Sequence, residues 1–199
     1  MSHPAVLPNE SARARVNATL GMVFFIGSWS MAFGTLFLSF LILRERAGVW
    51  PPPGMALPSF GIAGVATAVL LASSFAVHAA IGRAKSGRDG AGLLWALGLA
   101  LGLGFTALQT WLWFDLLARG VTPQTGIYGT LFFGLTWVHA AHVALALIAL
   151  AFVQCGFASG RYGSDGSGQL RLAAPQNVAL FWHFMDVVWV LMFLAIFVF

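Results

Sequence analysis

The chain is predicted to be an all-α, polytopic membrane helix bundle with five transmembrane helices, and three observations lead there. Its 199 residues are 59 % hydrophobic and only 8 % charged, whereas a soluble domain is roughly 25 % charged. Mean hydropathy is +0.86. Apolar runs long enough to cross a hydrocarbon core of about 30 Å recur five times. The segments between them are short, so the helices are expected to pack as near-antiparallel neighbours in one bundle.

Residues 1–17 hold Pro4, Pro8 and Glu10 without periodicity and are expected to form a cytoplasmic tail in water, with His3 solvated in it. Arg13 and Arg15 precede an apolar run as in a signal peptide. That run carries no charge from Val16 through Leu43, about twice the length of a signal's apolar core, and so reads as a retained first span, about 18–43. It ends at Arg44-Glu45-Arg46. Val49-Trp50-Pro51-Pro52-Pro53-Gly54 cannot continue a helix, because three prolines remove donors and hold the chain extended before the glycine turns it. Trp50 marks the interface at that end.

Span 2, about 59–82, has Ser73, Ser74 and His78 as its polar positions, and Arg83, Lys85, Arg88 and Asp89 form a tight charged hairpin after it. Span 3, about 91–117, carries Gly98 and Gly102 at the spacing that lets helices approach closely. Gln109 is its polar group at depth, while Trp111, Trp113, Asp115 and Arg119 crowd its exit. Span 4, about 127–157, holds His139 and His142. A polar, glycine-rich loop from Ser159 to Gln176 leads to span 5, about 178–199. Residues 18–199 thus read as a single transmembrane domain.

Sidedness follows from Lys and Arg in the short loops. Arg13, Arg15, Arg83, Lys85, Arg88, Arg161 and Arg171 gather on one side, and Arg44, Arg46 and Arg119 on the other. The positive-inside rule then puts the N-terminus in the cytoplasm and the C-terminus outside, together with the Trp-Pro-Pro-Pro-Gly loop. The net charge of +4 and the basic pI reflect this flanking charge and give no footprint for nucleic acid. One cysteine, Cys155, makes neither an intrachain disulfide nor a metal cluster.

The chemistry-bearing groups concentrate in the last span, Leu180-Phe-Trp-His-Phe-Met-Asp-Val-Val-Trp189. From Val178 onward only His183 and Asp186 are polar, and they share a helical face three residues apart. A carboxylate near the midplane is costly, so Asp186 is expected to face the interior, be partnered, or be protonated. His139 and His142 also share a face. Either they join His78 or His183 as ligands of a haem or a metal, or each hydrogen-bonds to a polar group on another span such as Asp186, Gln109 or Ser73, or to a lipid headgroup. Spans 1, 2 and 4 contain no acid in series with Asp186, which speaks against a proton route through this chain alone. No interrupted helix repeats in two halves, which speaks against a stand-alone transporter. Trp182 and Trp189, seven apart on one stripe, are expected to face a neighbouring subunit or lipid.

Phe181-Trp-His-Phe-Met-Asp-Val-Val-Trp189 resembles the terminal motif of subunit III of the haem-copper respiratory oxidases in its five-span bacterial form. Tyr128-Gly-Thr-Leu-Phe-Phe-Gly-Leu-Thr-Trp-Val-His-Ala-Ala-His-Val143 is similar to that family's Phe-x-x-Leu-Thr-x-x-His-x-x-His signature, and Trp50 to Gly54, preceded by Phe33-Gly-Thr-Leu-Phe37, is similar as well. The resemblance implies a non-catalytic subunit of a cytochrome c oxidase in the bacterial inner membrane, or else of a quinol oxidase or nitric oxide reductase. It implies no haem or copper in this chain, both residing in the partner. It further implies packing against catalytic subunit I and other subunits, bound phospholipid, and support of proton uptake and turnover stability. His78, His139, His142, His183, Asp186 and Gln109 would then be structural and lipid-cleft polar groups, with Trp50, Pro51, Pro52, Pro53, Gly54, Trp182 and Trp189 as motif and interface residues. A self-contained haem b protein using the four intramembrane histidines is the alternative from another class. Two family acids are replaced, one by Trp29 in span 1 and one by Leu112 in span 3. Roles tied to the span-1 glutamate, carbodiimide reactivity included, do not carry over.

Overall fold

The computed structural model describes residues 8–162 and 172–198. Among the described residues there are five long helices and no strand: α1 (Pro8–Arg46), α2 (Phe60–Lys85), α3 (Ala91–Ala118), α4 (Gly126–Ala158) and α5 (Ala173–Phe193), the last continued by a π-helical turn, Leu194–Val198. All five are long and apolar enough to cross a membrane. Each satisfies its backbone groups internally, the condition for crossing hydrocarbon.

The helices overrun the apolar runs at two places. Residues 8–17, expected to be tail, form the first turns of α1, which opens on Pro8. Proline is tolerated there because the N–H it lacks would be an orphan in any case. Likewise α5 starts at Ala173, five residues before the apolar run, with Pro175 in its first turn. Hydropathy marks where hydrocarbon begins, whereas a helix continues into the headgroup layer for as long as its backbone bonds do. Residues 1–7 and most of the loop between α4 and α5, with Arg171, lie outside the described residues.

α2 and α3 form the tightest pair in the bundle, joined by a turn through Gly87 and Gly90, both at positive φ. Arg83 caps that turn by donating to the Asp89 carbonyl at 3.1 Å. Glycine spacing on α3 explains the closeness. A Cβ at Gly98 would lie 2.6 Å from Val77 Cγ2 and 3.2 Å from the Ser73 carbonyl, and one at Gly102 would lie 2.9 Å from both Leu147 and Trp182. Gly98 therefore seats α2, and Gly102 seats α4 and α5 on the same helix. The Ser73 hydroxyl completes the first contact by donating to the Gly98 carbonyl at 2.6 Å.

α5 is the hub. It packs against α1, α2 and α4 along their lengths and reaches α3 through Trp182 at Gly102 and Trp189 at Phe105, 4.9 Å between ring centroids. Trp182 and Trp189 are both buried, so the expectation that they face a neighbour or lipid is corrected. An indole ring is the largest volume the bundle axis has to fill, and the small residues of α3 open the space for it. Trp189 Nε1 also donates to Thr67 Oγ1 at 2.9 Å, a tie that a lipid-facing indole would lack.

At the other end of α5, Arg44 at the close of α1 donates to the Ala195 carbonyl at 2.5 Å. A cation thus serves the carbonyl-rich C-terminus of a neighbouring helix. The contact puts the C-terminal ends of α1 and α5 on one side of the bundle. The Trp50 loop lies over that same end: its ring packs on Phe40 at 5.8 Å and Tyr128 at 5.1 Å, and Tyr128 donates to the Ala56 carbonyl at 3.4 Å. The Trp50–Pro51 peptide is cis.

Candidate functional site

The polar side chains at membrane depth fall into two groups on opposite flanks of α5. On the α2 flank stand Ser74, His78, His183 and Asp186. Thr67 and Ser74 are separated by seven residues on α2, and Trp189 and His183 by six on α5, so antiparallel helices bring Thr67 to Trp189 and Ser74 to His183. The Ser74 hydroxyl contacts His183 Nδ1, and Asp186 Oδ2 lies 3.6 Å from the same nitrogen. His78, one turn beyond Ser74, sets its ring centroid 6.0 Å from that of His183. Asp186 is only 5 % exposed, and neither of its oxygens has a hydrogen-bond partner among the described residues. It faces the interior, as its cost in lipid requires.

On the α1–α4 flank, His139 and His142 are packed among aromatic rings, and among the described residues neither reaches a polar group on another helix. His139 stacks on Trp189, 5.7 Å between centroids and 29° between planes, and meets the edge of Phe33 at 6.3 Å. It is 2 % exposed, and neither ring nitrogen has a hydrogen-bond partner among the described residues. His142 pairs its Nδ1 with the Val138 carbonyl of its own helix at 2.6 Å and turns its ring onto Trp29 at 3.9 Å and Phe33 at 5.4 Å. The expectation that these two reach polar groups on other spans is therefore corrected. Shape decides it: Trp29, Phe33 and Trp189 fill the space beside the imidazoles, and ring contact with the aromatic faces takes the place of hydrogen bonds.

Gln109 is buried on α3 with its Oε1 unpartnered among the described residues. Trp50 and the prolines after it, Pro51 to Pro53, are at the bundle end with Gly54, away from both histidine groups. Leu112 is fully buried in the core and Trp29 half-buried beside His142, so both positions where family acids are replaced face inward and are now apolar.

These positions bear on the two readings of the histidines. His139 and His142 do not join His78 or His183, and among the described residues no three His, Cys, Asp or Glu side chains come together as a metal site. A haem held by the four histidines would need pairs facing one another across open space. Here one pair lies along a single helix against indole and phenyl rings, and His183 of the other is already engaged by Ser74. The residues do not fit a haem. Sequence reading singled out the histidines, Ser74 and Trp29 but did not pair them, and it passed over Thr67 and the packing role of Phe33. The available signal was the seven-residue spacing of the two hydroxyls on α2.

Fold and site define an integral membrane protein of five spans whose intramembrane histidines are absorbed by packing and by one polar groove. Residues 8–199 match the family described as cytochrome c oxidase subunit III. The chain is 31 % identical over 182 residues to a probable cytochrome c oxidase subunit 3 of Mycobacterium tuberculosis, covering 90 % of this chain and 86 % of that protein. It is also 31 % identical over 180 residues to cytochrome c oxidase subunit 3 of a Synechocystis species, covering 89 % and 73 %. Against the protein of that name in Thermostichus vulcanus it is 27 % identical over 181 residues, covering 90 % and 86 %. The chain belongs to the cytochrome c oxidase subunit III family. It is a multi-pass membrane subunit of a haem-copper oxidase, and its enzymatic context is the oxidoreductase complex of which it is part.

Proposed function

We propose that this chain is a non-catalytic subunit that packs against catalytic subunit I of a cytochrome c oxidase, stabilises it during turnover and proton uptake, and carries no haem or copper itself. The observation that carries this reading is the dispersal of the four histidines: one pair caged by Trp29, Phe33 and Trp189, and on the other flank His183 bonded to Ser74 with the exposed His78 beside it. Such an arrangement supports packing and surface contact rather than electron transfer. The N-terminus lies in the cytoplasm and the C-terminus outside the bacterial inner membrane, a reading supported by the excess of Arg and Lys on one side. Membrane lipid covers part of the apolar exterior, with His78 and His183 the polar groups that meet it. His139, His142, Gln109 and the two buried indoles of α5 are structural.

The test is a mild-detergent pull-down of the tagged chain from its own membranes, with a reduced-minus-oxidised spectrum and mass spectrometry of the eluate. A haem-copper catalytic subunit is expected to co-elute and to account for all the haem. A chain that elutes alone with a reducible haem would overturn the reading. The haem bands of the co-eluting partner give its haem types, and its identification by mass spectrometry separates a cytochrome c oxidase from a quinol oxidase or nitric oxide reductase.

A further inference from the structure

Leu71, Ser74, Phe75, His78 and His183 line an open groove of about 360 Å³ between α2 and α5. Phe75 and Leu71 are exposed at its mouth, so it opens on the lipid-facing surface. Its lining is mainly apolar, with one polar contact at the floor: the Ser74 hydroxyl on His183 Nδ1, with the buried Asp186 carboxyl 3.6 Å behind the same nitrogen. His183 keeps 35 % of its side chain accessible and His78 is exposed beside it. Two imidazoles facing hydrocarbon are costly unless something hydrogen-bonds to them.

Depth selects the occupant. α2 has 26 residues, about 39 Å at ~1.5 Å per residue, so each end overhangs a ~30 Å hydrocarbon core by about 4–5 Å. His78 lies seven residues from Lys85, which places it about 6 Å below the hydrocarbon boundary, and Ser74 sits one turn deeper. A phosphate headgroup would have to leave the interface to reach these atoms, and charge is strongly disfavoured there. Among the described residues no Lys or Arg lines the groove to compensate it. A neutral ring bearing hydrogen-bond acceptors, carried on an apolar tail, meets the groove without that penalty. Its carbonyls would accept from the imidazole N–H groups, and Leu71 and Phe75 would pack on its face.

We infer that the groove between α2 and α5 is a binding site for a quinone-type amphiphile, with His78 and His183 as its hydrogen-bonding residues and Ser74 as the group that orients His183. The inference rests on the proposal that this face meets lipid-phase molecules, and it names their chemistry. No electron transfer is assigned to the site.

The test uses the intact complex in mild detergent and a photoreactive azido-quinone, with adducts mapped by peptide mass spectrometry. Label is expected on α2 or α5 peptides around Phe75 and His183, displaced by decylubiquinone but not by phosphatidylglycerol at equal concentration. His78→Phe, at an exposed position where folding is not at stake, is expected to reduce that label about fivefold, the effect of losing one hydrogen bond. Displacement by phosphatidylglycerol as strongly as by the quinone would overturn the inference and leave the lipid-facing reading standing. A groove that stays unlabelled and cross-links instead to a neighbouring subunit would overturn both.

Discussion

α1 and α5 are alike in apolar character and opposite in burial. In the most apolar window of each, 11 % of the residues of α1 are inside the bundle against 50 % of those of α5. Both run the same way and meet at the Arg44–Ala195 bond, so neither direction nor position at the bundle end distinguishes them. The difference lies in side-chain volume and in what the neighbours leave open. α5 buries Trp182, Met185 and Trp189, Trp182 in the gap left by Gly102 and Trp189 against Phe105 and Thr67, whereas α1 presents Phe33 and Phe40 inward and turns Val23, Phe24 and Met31 outward. Its hydroxyls are equally self-contained: Ser28, Ser30, Thr35 and Ser39 each donate to a carbonyl one turn back on α1 itself. Apolar composition admits a helix to the membrane, and complementary shape decides whether it becomes core.

The contrast is broken most forcefully on α5. Trp189→Ala removes the ring that fills the space between Phe105 and His139 and is expected to destabilise the purified chain by about 3–5 kcal/mol in a detergent unfolding titration. A loss below about 1 kcal/mol would mean that the hub is not where the structure puts it. Next comes the close approach that lets α5 and α2 share α3. Gly98→Leu meets Val77 and a backbone carbonyl and is expected to cost about 1–3 kcal/mol, seen as a lowered melting temperature, with Gly98→Ala milder.

Asp186→Ala should have a smaller effect, about 1 kcal/mol, because His183 keeps its contact with Ser74 when the carboxyl is gone. The readout is retention of the chain in its complex after detergent washing. Retention and turnover lifetime both unchanged would show that the carboxyl has no partner at all. The smallest effect belongs to α1. Phe24→Ala, at a side chain 72 % exposed, is expected to leave the isolated chain within about 0.5 kcal/mol of the parent. Any change it brings in co-purification of the catalytic subunit would then report a surface covered in the complex.

Much of this was legible in the order of residues. The five spans, the non-helical Trp50 loop and the inward direction of Asp186 all follow from the cost of polar groups in hydrocarbon, which acts residue by residue. The helix starts at Pro8 and Ala173 did not, since hydropathy falls at the membrane boundary while backbone hydrogen bonding does not. The indoles of α5 were placed on the wrong side for a related reason. In a helix apolar all round, lipid and core are equally good solvents for a side chain, so no periodic signal tells one face from the other.

By itself, then, the sequence determined that the chain lives in the membrane, how many times it crosses, and through its three motifs which family it belongs to. These depend on local hydrophobicity and on residues read in a row. Only the tertiary structure decided that His139 and His142 stack in an aromatic cage, that Trp182 and Trp189 form the axis, and that Ser74, His78 and His183 meet in a groove. Those outcomes depend on the glycine-set distance between α2 and α3 and on the register of α5 against α2. Both are products of side chains on different helices fitting together, which a single stretch of sequence does not contain.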